Sequence, residues 1–425
     1  MPALNLKKTY QKYPEYKDSK SDWVGVIPKN WNIKRNRFLS TYIKGKNVDF
    51  CNPSEKGCLP YLTAEVIRGT AEPEYCFGDV IAKENQLLLL WDGANAGEFF
   101  LAGPGVVSST FSLITSNKEI NPRFYYWVSK SFEKKLRDYT QGMGIPHVSP
   151  SIFKDSYFPE IPTIEQKRIS DFLDSKTNLT NQIIEKKQKL IGLLQEKRSA
   201  LITHAVTKGL DPTAKMKPSG IELIGEIPEN WTANRIKNLI SYYSRGGTPD
   251  YSDEKTDFRF INQSCIRSGY FDLKKIKYSL KAPSKGKIRS GDILINSTGT
   301  GTLGRSSVFT EKDIYYADTH VTIIRPKKIN SKYLSLMIEI DRWQDYIYAT
   351  AVTGSTNQIE LSPTKLVEIP IITPNLTEQD KIVQYITEKS IKIDDSILLI
   401  NSQLEKIKEY RSSLIYHAVT GKIKV

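Results

Sequence analysis

The chain repeats itself, and the spacing of the repeat restricts the fold more than any other feature. "RSALITHAVTKG" (198–209) returns as "RSSLIYHAVTGK" (411–422), and "EQKRI" (165–169) returns as "EQDKI" (378–382), both with a shift of 213. Between these anchors no residue is inserted or lost. "VGVIPKNW" (24–31) returns as "IGEIPENW" (224–231), now with a shift of 200. In the intervening regions the match is weak and the shift drifts. "YLTAEVIRG" lies over "FINQSCIRSG", which places Arg68 on Arg267, and "WDGANAG" lies over the start of "ILINSTGTGTLGRSS". Each half therefore reads as a lead-in element, a divergent region and a segment of locked length.

The locked segments read as helices. Glu165 to Val206 and Glu378 to Val419 are rich in Lys, Glu, Gln, Leu and Ile, with no Pro and one Gly, Gly192. The apolar stripe falls on paired positions: Leu173/Ile386, Ile184/Ile397, Ile191/Leu404, Leu194/Ile407 and Leu201/Leu414. Their spacings of 11, 7, 3 and 7 fit a heptad seam. One extra residue would turn that seam by about 100°, which accounts for the locked length. A long helix with such a seam must pair, and the chain supplies two. An intramolecular coiled coil is expected, ahead of an intermolecular one.

The divergent regions read as mixed α/β. "RFINQSCI", "GDILINS", "SSVFT" and "HVTIIRP" are short β-prone runs, and 330–347 reads as one helix, with 121–139 in its place in the first half. Strands in succession with one helix behind argue against a parallel βαβ sheet. The expected fold is α+β: two similar mixed α/β domains separated by an antiparallel coiled coil of two long helices, a pseudo-twofold internal repeat. The boundaries are 1–160 for the first domain, 161–212 for the first helix, 213–372 for the second domain and 373–425 for the second helix.

Charge narrows the partner. Lys and Arg number 61 against 47 Asp and Glu, a net charge of +14. This excess favours a polyanion, nucleic acid first and an anionic membrane surface second, over a merely solvated basic surface. A protein that imitates DNA would instead be acidic. The cysteines Cys51, Cys58, Cys76 and Cys265 form no Cys-x-x-Cys pair and share no spacing with the four His. Neither a zinc site nor a disulfide framework is expected, and a reducing cytoplasm fits. The polar N-terminus resembles no signal peptide, and no apolar run approaches a membrane span.

The glycine-rich stretch poses the one enzymatic alternative. Gly299-x-Gly301-x-x-Gly304 matches a dinucleotide loop, and Gly299-x4-Gly304-Arg305-Ser306 is a P-loop with Arg in place of Lys. Either would need a helix after Gly304 to bind phosphate, and "RSSVFTEKD" is β-like. The counterpart in the first half keeps only the glycine spacing, with Glu98 to repel phosphate. A glycine-rich hairpin is expected, the alternative being a nucleotide-binding DNA-processing enzyme that uses this loop. No amino-methyltransferase, His-Glu-x-x-His or Gly-x-Ser-x-Gly motif is present. His204 and His417, equivalent places near helix ends, point to a structural role.

The repeated "IPxNW", the "GDIL…G…GR" hairpin, "WDGANAG", "GIPHV" (144–148), "GSTNQ" (354–358) and the "EQ…RSxLIxHAVT" helix occur in order along the whole chain. The arrangement resembles the specificity subunit of type I restriction-modification systems. The resemblance implies that each divergent region reads one half of a split DNA target, and that the helices are spacers and a platform for two modification (methyltransferase) subunits, with restriction translocase subunits joining afterwards. It implies a non-catalytic chain without its own cofactor, S-adenosylmethionine and ATP residing on the partners.

The residues expected at DNA in the second domain are Arg245, Thr248, Asn262, Gln263, Arg267, Thr298, Arg305, Asn357 and Gln358. In the first they are Lys44, Lys46, Thr63, Arg68, Asp92, Asn95, Gln141 and His147. Arg suits guanine, and Asn or Gln suits adenine, by bidentate geometry. The same residue types also serve turns. In the overlay His147 falls on Gln358, although the chemistry of the two stretches differs.

If the helices act as rulers, four helix-forming residues added after Val206 lengthen the rod by about 6 Å and turn it by about 400°, nearly restoring its face. The unread spacer of the methylated motif should grow by roughly one or two base pairs, at about 3.4 Å each, with the bases read at each end unchanged. Sequencing the methylated motif of this insertion variant checks it, and an unchanged spacer removes the ruler role.

Overall fold

Two helices, Thr163–Lys208 and Leu376–Val419, run for 46 and 44 residues. The structure, a computed structural model, describes residues 10–140, 146–222, 224–299, 301–354 and 359–425. Among these no helix is long and apolar enough to cross a membrane. On the second helix Ile386, Leu404, Ile407 and Leu414 are buried and Ile397 half-buried; on the first Leu173 is buried and Ile184, Ile191, Leu194 and Leu201 are half-buried. The full stripe alternates steps of four and three: 173, 177, 180, 184, 187, 191, 194, 198, 201 and 205, repeated at 386 through 418. It includes Thr177, Lys187 and Arg198, which an apolar pattern alone does not reveal.

The chain divides into two units, residues 1–188 with 401–425, and residues 189–400. Each unit takes a stretch of both long helices. In the first, Arg411 donates to Asn181 Oδ1 (2.7 Å) and Lys187 to Gln403 Oε1 (2.6 Å). Rising numbers on one helix meet falling numbers on the other, so the pairing is antiparallel. In the second unit Arg198 lies 3.4 Å from Asp394. Arg198 and Arg411 are repeat mates, as are Asn181 and Asp394.

The divergent regions share one sheet plan. In the first unit an antiparallel sheet runs Phe99–Leu101, Leu87–Leu90, Phe111–Ser116, Ser40–Lys44. In the second the same order is Ser306–Val308, Ile293–Asn296, Val321–Pro326, Ile240–Arg245. A mixed sheet accompanies each, with one parallel pair: Leu59–Leu62 beside Gly105–Val107, and Phe258–Ile261 beside Tyr315–Ala317. Alternating apolar residues bury one face, as Leu88, Leu90 and Phe111 do against Val107.

The repeated motifs fasten these domains to the helices. Trp31 is buried, and its indole N–H donates to Glu165 Oε2 (3.1 Å) at the start of the first helix. Trp231 does the same to Glu378 Oε1 (2.9 Å) at the start of the second. The neighbouring glutamine completes the joint. Gln166 accepts from Asn121 N (2.7 Å) and donates to Ile161 O (2.8 Å), while Gln379 accepts from Asn330 N (2.8 Å) and donates to Pro374 O (2.8 Å). "IPxNW" and "EQ" thus recur because each is half of one contact.

Two expectations are corrected. Residues 330–347 do not form one helix: Ser331–Glu339 and Asp341–Ala351 are separated by Ile340, whose backbone is extended and whose carbonyl starts the next turn by accepting from Trp343 and Gln344. The absence of a disulfide is also overturned: Cys51 and Cys58 are joined across a tight turn with their Cα atoms 6.3 Å apart. The turn, closed by Glu55 N on Asn52 O and Cys58 N on Glu55 O, brings them together without any motif spacing. Cys76 and Cys265 are free and buried.

Trp231→Phe keeps most of the buried ring and loses the hydrogen bond to Glu378. We expect it, Glu378→Gln and the double variant to show a coupling of about 1–2 kcal/mol in urea denaturation. Additive losses would reduce the tryptophan to a space-filling role.

Candidate functional site

At one end of each antiparallel sheet the chain leaves three strands within a few residues. Gly45 follows Ser40–Lys44 and donates to Phe111 O (2.9 Å), Trp91 follows Leu87–Leu90 and donates to Thr110 O (2.8 Å), Val148 donates to Trp91 O (2.9 Å), and Gly97 donates to Leu90 O (2.7 Å). The second unit makes the same four bonds: Gly246 to Val321 O (2.9 Å), Ser297 to His320 O (2.8 Å), Leu361 to Ser297 O (2.8 Å) and Gly304 to Asn296 O (2.9 Å). One backbone frame therefore equates Lys44 with Arg245, Asp92 with Thr298, Thr110 with His320, His147 with Glu360 and Glu98 with Arg305. Gly45 and Gly246 are required by close approach, since a Cβ at either would lie 2.1 Å from the carbonyl oxygen of Ser108 or Ala317.

On this shared frame the side chains differ at every position. In the first unit Asp92 is the hub. Lys44 Nζ lies 2.6 Å from one carboxylate oxygen, and His147 Nδ1 2.5 Å from the other. Burial works against the ionised Asp92, yet the hydrogen bonds and charges of Lys44 and His147 outweigh it and hold the carboxyl below its usual range. In the second unit the cation has moved to another acid: Arg245 pairs with Glu360 and donates to Leu361 O (2.6 Å). Thr298 instead accepts from His320 Nδ1 (2.9 Å) and donates to Gln263 Oε1 (3.2 Å). His147 and His320 are exposed. Glu98 pairs with Arg68, which also lies over the Phe100 ring at 5.2 Å, whereas its mate Arg305 lies 3.5 Å from Gly301 O.

The structure brings Lys44, Asp92 and His147 into one cluster, and Arg245, Gln263 and Thr298 into another. Other expected residues lie elsewhere. Thr63 caps the short helix Ala64–Ile67 by accepting from Val66 N. Its mate Asn262 is buried and accepts from Ser264 N (2.8 Å) while donating to Lys275 O (3.0 Å). Both serve turns. Lys46 faces Asp79 at 3.3 Å, Asn95 and Thr248 are exposed, and Arg267 bonds its own hairpin at Ile266 O (3.0 Å). Gln141, Asn357 and Gln358 lie outside the described residues. The overlay of His147 on Gln358 is corrected: the backbone bonds set His147 on Glu360. Thr110, His320 and Glu360 escaped the sequence reading because cross-strand hydrogen bonds, not spacing, bring them to the loops.

The glycine stretch is a hairpin. Ile295 pairs antiparallel with Ser306, and the strand Ser306–Val308 follows Gly304 where a phosphate site would need a helix. Gly304 has φ +80°, and a Cβ there would meet Gln344 Oε1 at 2.2 Å. The glycines serve a tight turn seated on Gln344, and the nucleotide-binding alternative is left without support.

Two like domains, each with a loop cluster on a common frame, match a known sequence profile. That of the type I restriction modification DNA specificity domain covers residues 25–192 and again 228–409. The chain belongs to this specificity family. It is 28% identical over 419 residues to the type I restriction enzyme MjaVIII specificity subunit of Methanocaldococcus jannaschii, covering 94% of each chain. It is 22% identical to the type I restriction enzyme EcoDI specificity subunit of Escherichia coli, covering 72% of this chain and 70% of that one. The fold is shared with a chain from a solved type I R-M system, with a TM-score of 0.70 at 14% identity over 92% of this chain and 98% of that one. As a type I specificity subunit the protein recognises DNA sequence, and the loop clusters are its candidate reading sites.

Asp92→Asn should destabilise the first domain by about 1 kcal/mol at neutral pH, discounted because Lys44 and His147 are half-exposed. The depressed carboxyl contributes stability that is present above about pH 4 and lost as pH falls through its lower folded value. The gap between variant and parent should therefore close in acid, as read by thermal melting over a pH series. A gap independent of pH would deny the ionised hub.

Proposed function

We propose that this specificity subunit reads a bipartite, asymmetric DNA target, one half per domain, and directs methyltransferase and restriction subunits to it. The observation that carries the proposal is the pair of loop clusters: the same backbone hydrogen bonds hold Lys44, Asp92, Thr110 and His147 in one domain and Arg245, Thr298, His320 and Glu360 in the other. A common frame suits two domains that meet DNA grooves in like fashion, and different side chains suit two different half-sites. Arg245 and Arg305 are the guanine-reading candidates of the second domain, with Gln263 for adenine. The net charge of +14 supplies phosphate contacts, so affinity should fall steeply with salt.

The chain itself catalyses nothing in this reading. S-adenosylmethionine and ATP belong to the partner subunits. Their platform is the helix pair, which in the second unit exposes Leu190, Leu193, Leu398 and Leu399 after its own seam is filled. Exposed leucines on a paired helix favour further helices from a partner, and two modification subunits would match the internal repeat.

Exchanging residues 213–370 for the matching region of a relative should change one half of the methylated site and leave the other as it was. The methylated motif in cells carrying the exchanged chain with its partners decides this. Both halves changing together would argue against separate readers.

A further inference from the structure

The repeat fills a space in one unit that it leaves open in the other. Asn121 caps the helix Pro122–Asp138 and Asn330 caps Ser331–Glu339, each held through its backbone N–H by the glutamine of a long helix. This aligns the two capped helices residue by residue. In the first unit Tyr126 and Trp127 pack beside the long helices. Trp127 is buried and donates to Asp174 Oδ1 (2.8 Å), and Arg123 pairs with the same carboxylate (2.7 Å) while lying over the Tyr126 ring at 5.5 Å. Tyr126 also feels the charge of Arg411. The mates of Tyr126, Trp127 and Asp174 in the second unit are Ser335, Leu336 and Thr387. Two large rings and a carboxylate have become three smaller side chains.

A cavity of about 530 Å³ lies there, lined by Arg198, Ser307, Ser335, Leu336, Glu339 and Thr387 among others. Arg198 is the repeat mate of Arg411. Glu339 Oε1, Arg198 Nε and Ser307 Oγ are buried and have no hydrogen-bond partner among the described residues. Native interiors seldom leave three such atoms around one space. Burial also pushes the Glu339 carboxyl up to about 7. The lining also includes the apolar side chains Phe271, Val308, Val383 and Ile386. Apolar lining together with an unpaired carboxylate oxygen suits a flat ring that carries one N–H donor. A cavity of about 150 Å³ already takes a benzene, so the space is ample.

We propose that this cavity is an anchor site for a tryptophan side chain presented by a partner polypeptide, which fills from outside the space that Tyr126 and Trp127 fill from within the first unit, its indole N–H donating to Glu339. The site breaks the symmetry of the two units: one is closed by its own sequence and the other awaits a second chain. It does not depend on which DNA bases the loops read.

N-acetyl-tryptophanamide titrated into the full-length chain should show one saturable site by calorimetry, with Kd of about 0.1–1 mM, the range for a ligand of this size. N-acetyl-alaninamide should give none. In a buffer alkaline enough to ionise the carboxyl, Glu339→Gln should weaken binding about tenfold by removing the charged acceptor. The refilled variant Ser335→Tyr, Leu336→Trp, Thr387→Asp, a copy of the first unit, should abolish binding while the methylated motif stays the same. Absence of saturation by about 10 mM, or equal binding by Glu339→Gln, overturns the site. In the complex with the modification and restriction subunits, hydrogen exchange at Ser335–Glu339 should slow relative to the free chain. An unchanged rate there overturns the partner as its occupant.

Discussion

Everything in this chain hangs on an indole hydrogen-bonded to a glutamate at the first turn of a long helix. Trp31 with Glu165 and Trp231 with Glu378 join each domain to the helix that follows it. The ring is buried, so its N–H needs an acceptor, and a carboxylate near a helix N-terminus is favourably placed for reasons of its own. The next residue, glutamine, then ties down the cap of the domain's own helix. Two adjacent side chains thus fasten each domain to its long helix. Between these joints the two halves of the chain diverge while the joints themselves repeat.

The helices were legible because burial along a helix follows period: a repeat of 3.5 residues leaves the same mark on Leu173, Leu194 and Leu201 as on their mates. The mark fades where the seam is polar. Lys187 and Arg198 sit in the stripe because Gln403 and Asp394 meet them, and no single-chain period encodes a partner across a seam. Similarly, Ile340 has ordinary helix propensity; its extended backbone comes from packing, which overrides propensity at a break between two apolar turns. Cys51 and Cys58 were missed because a turn, not a motif, sets their separation.

The loop clusters were half legible. Lys44, Asp92 and His147 were named separately from residue type and loop position, and the fold assembles them. Glu360 and His320 were not named, since what places them is a pair of backbone bonds to Ser297. The frame reveals a change that alignment hides: the basic residue at the end of the first strand keeps its place in both domains while its acid partner moves from one loop to another. Side-chain identity at these positions is meaningful only after the backbone correspondence is known.

The division of the chain has a consequence for how it is made. The second unit is continuous, residues 189–400, whereas the first combines residues 1–188 with 401–425. Leu414, Ile415, Ala418 and Val419 lie in the core of the first unit, and Lys422 donates to Val24 O (2.8 Å). On the ribosome, domains fold as units as they emerge. Here the domain synthesised first lacks part of its core until residues 414–419 leave the exit tunnel, while the domain synthesised second already has all of its residues. Order of completion is the reverse of order of synthesis, and a chain cut short before residue 414 leaves the ribosome with the wall of its first domain open.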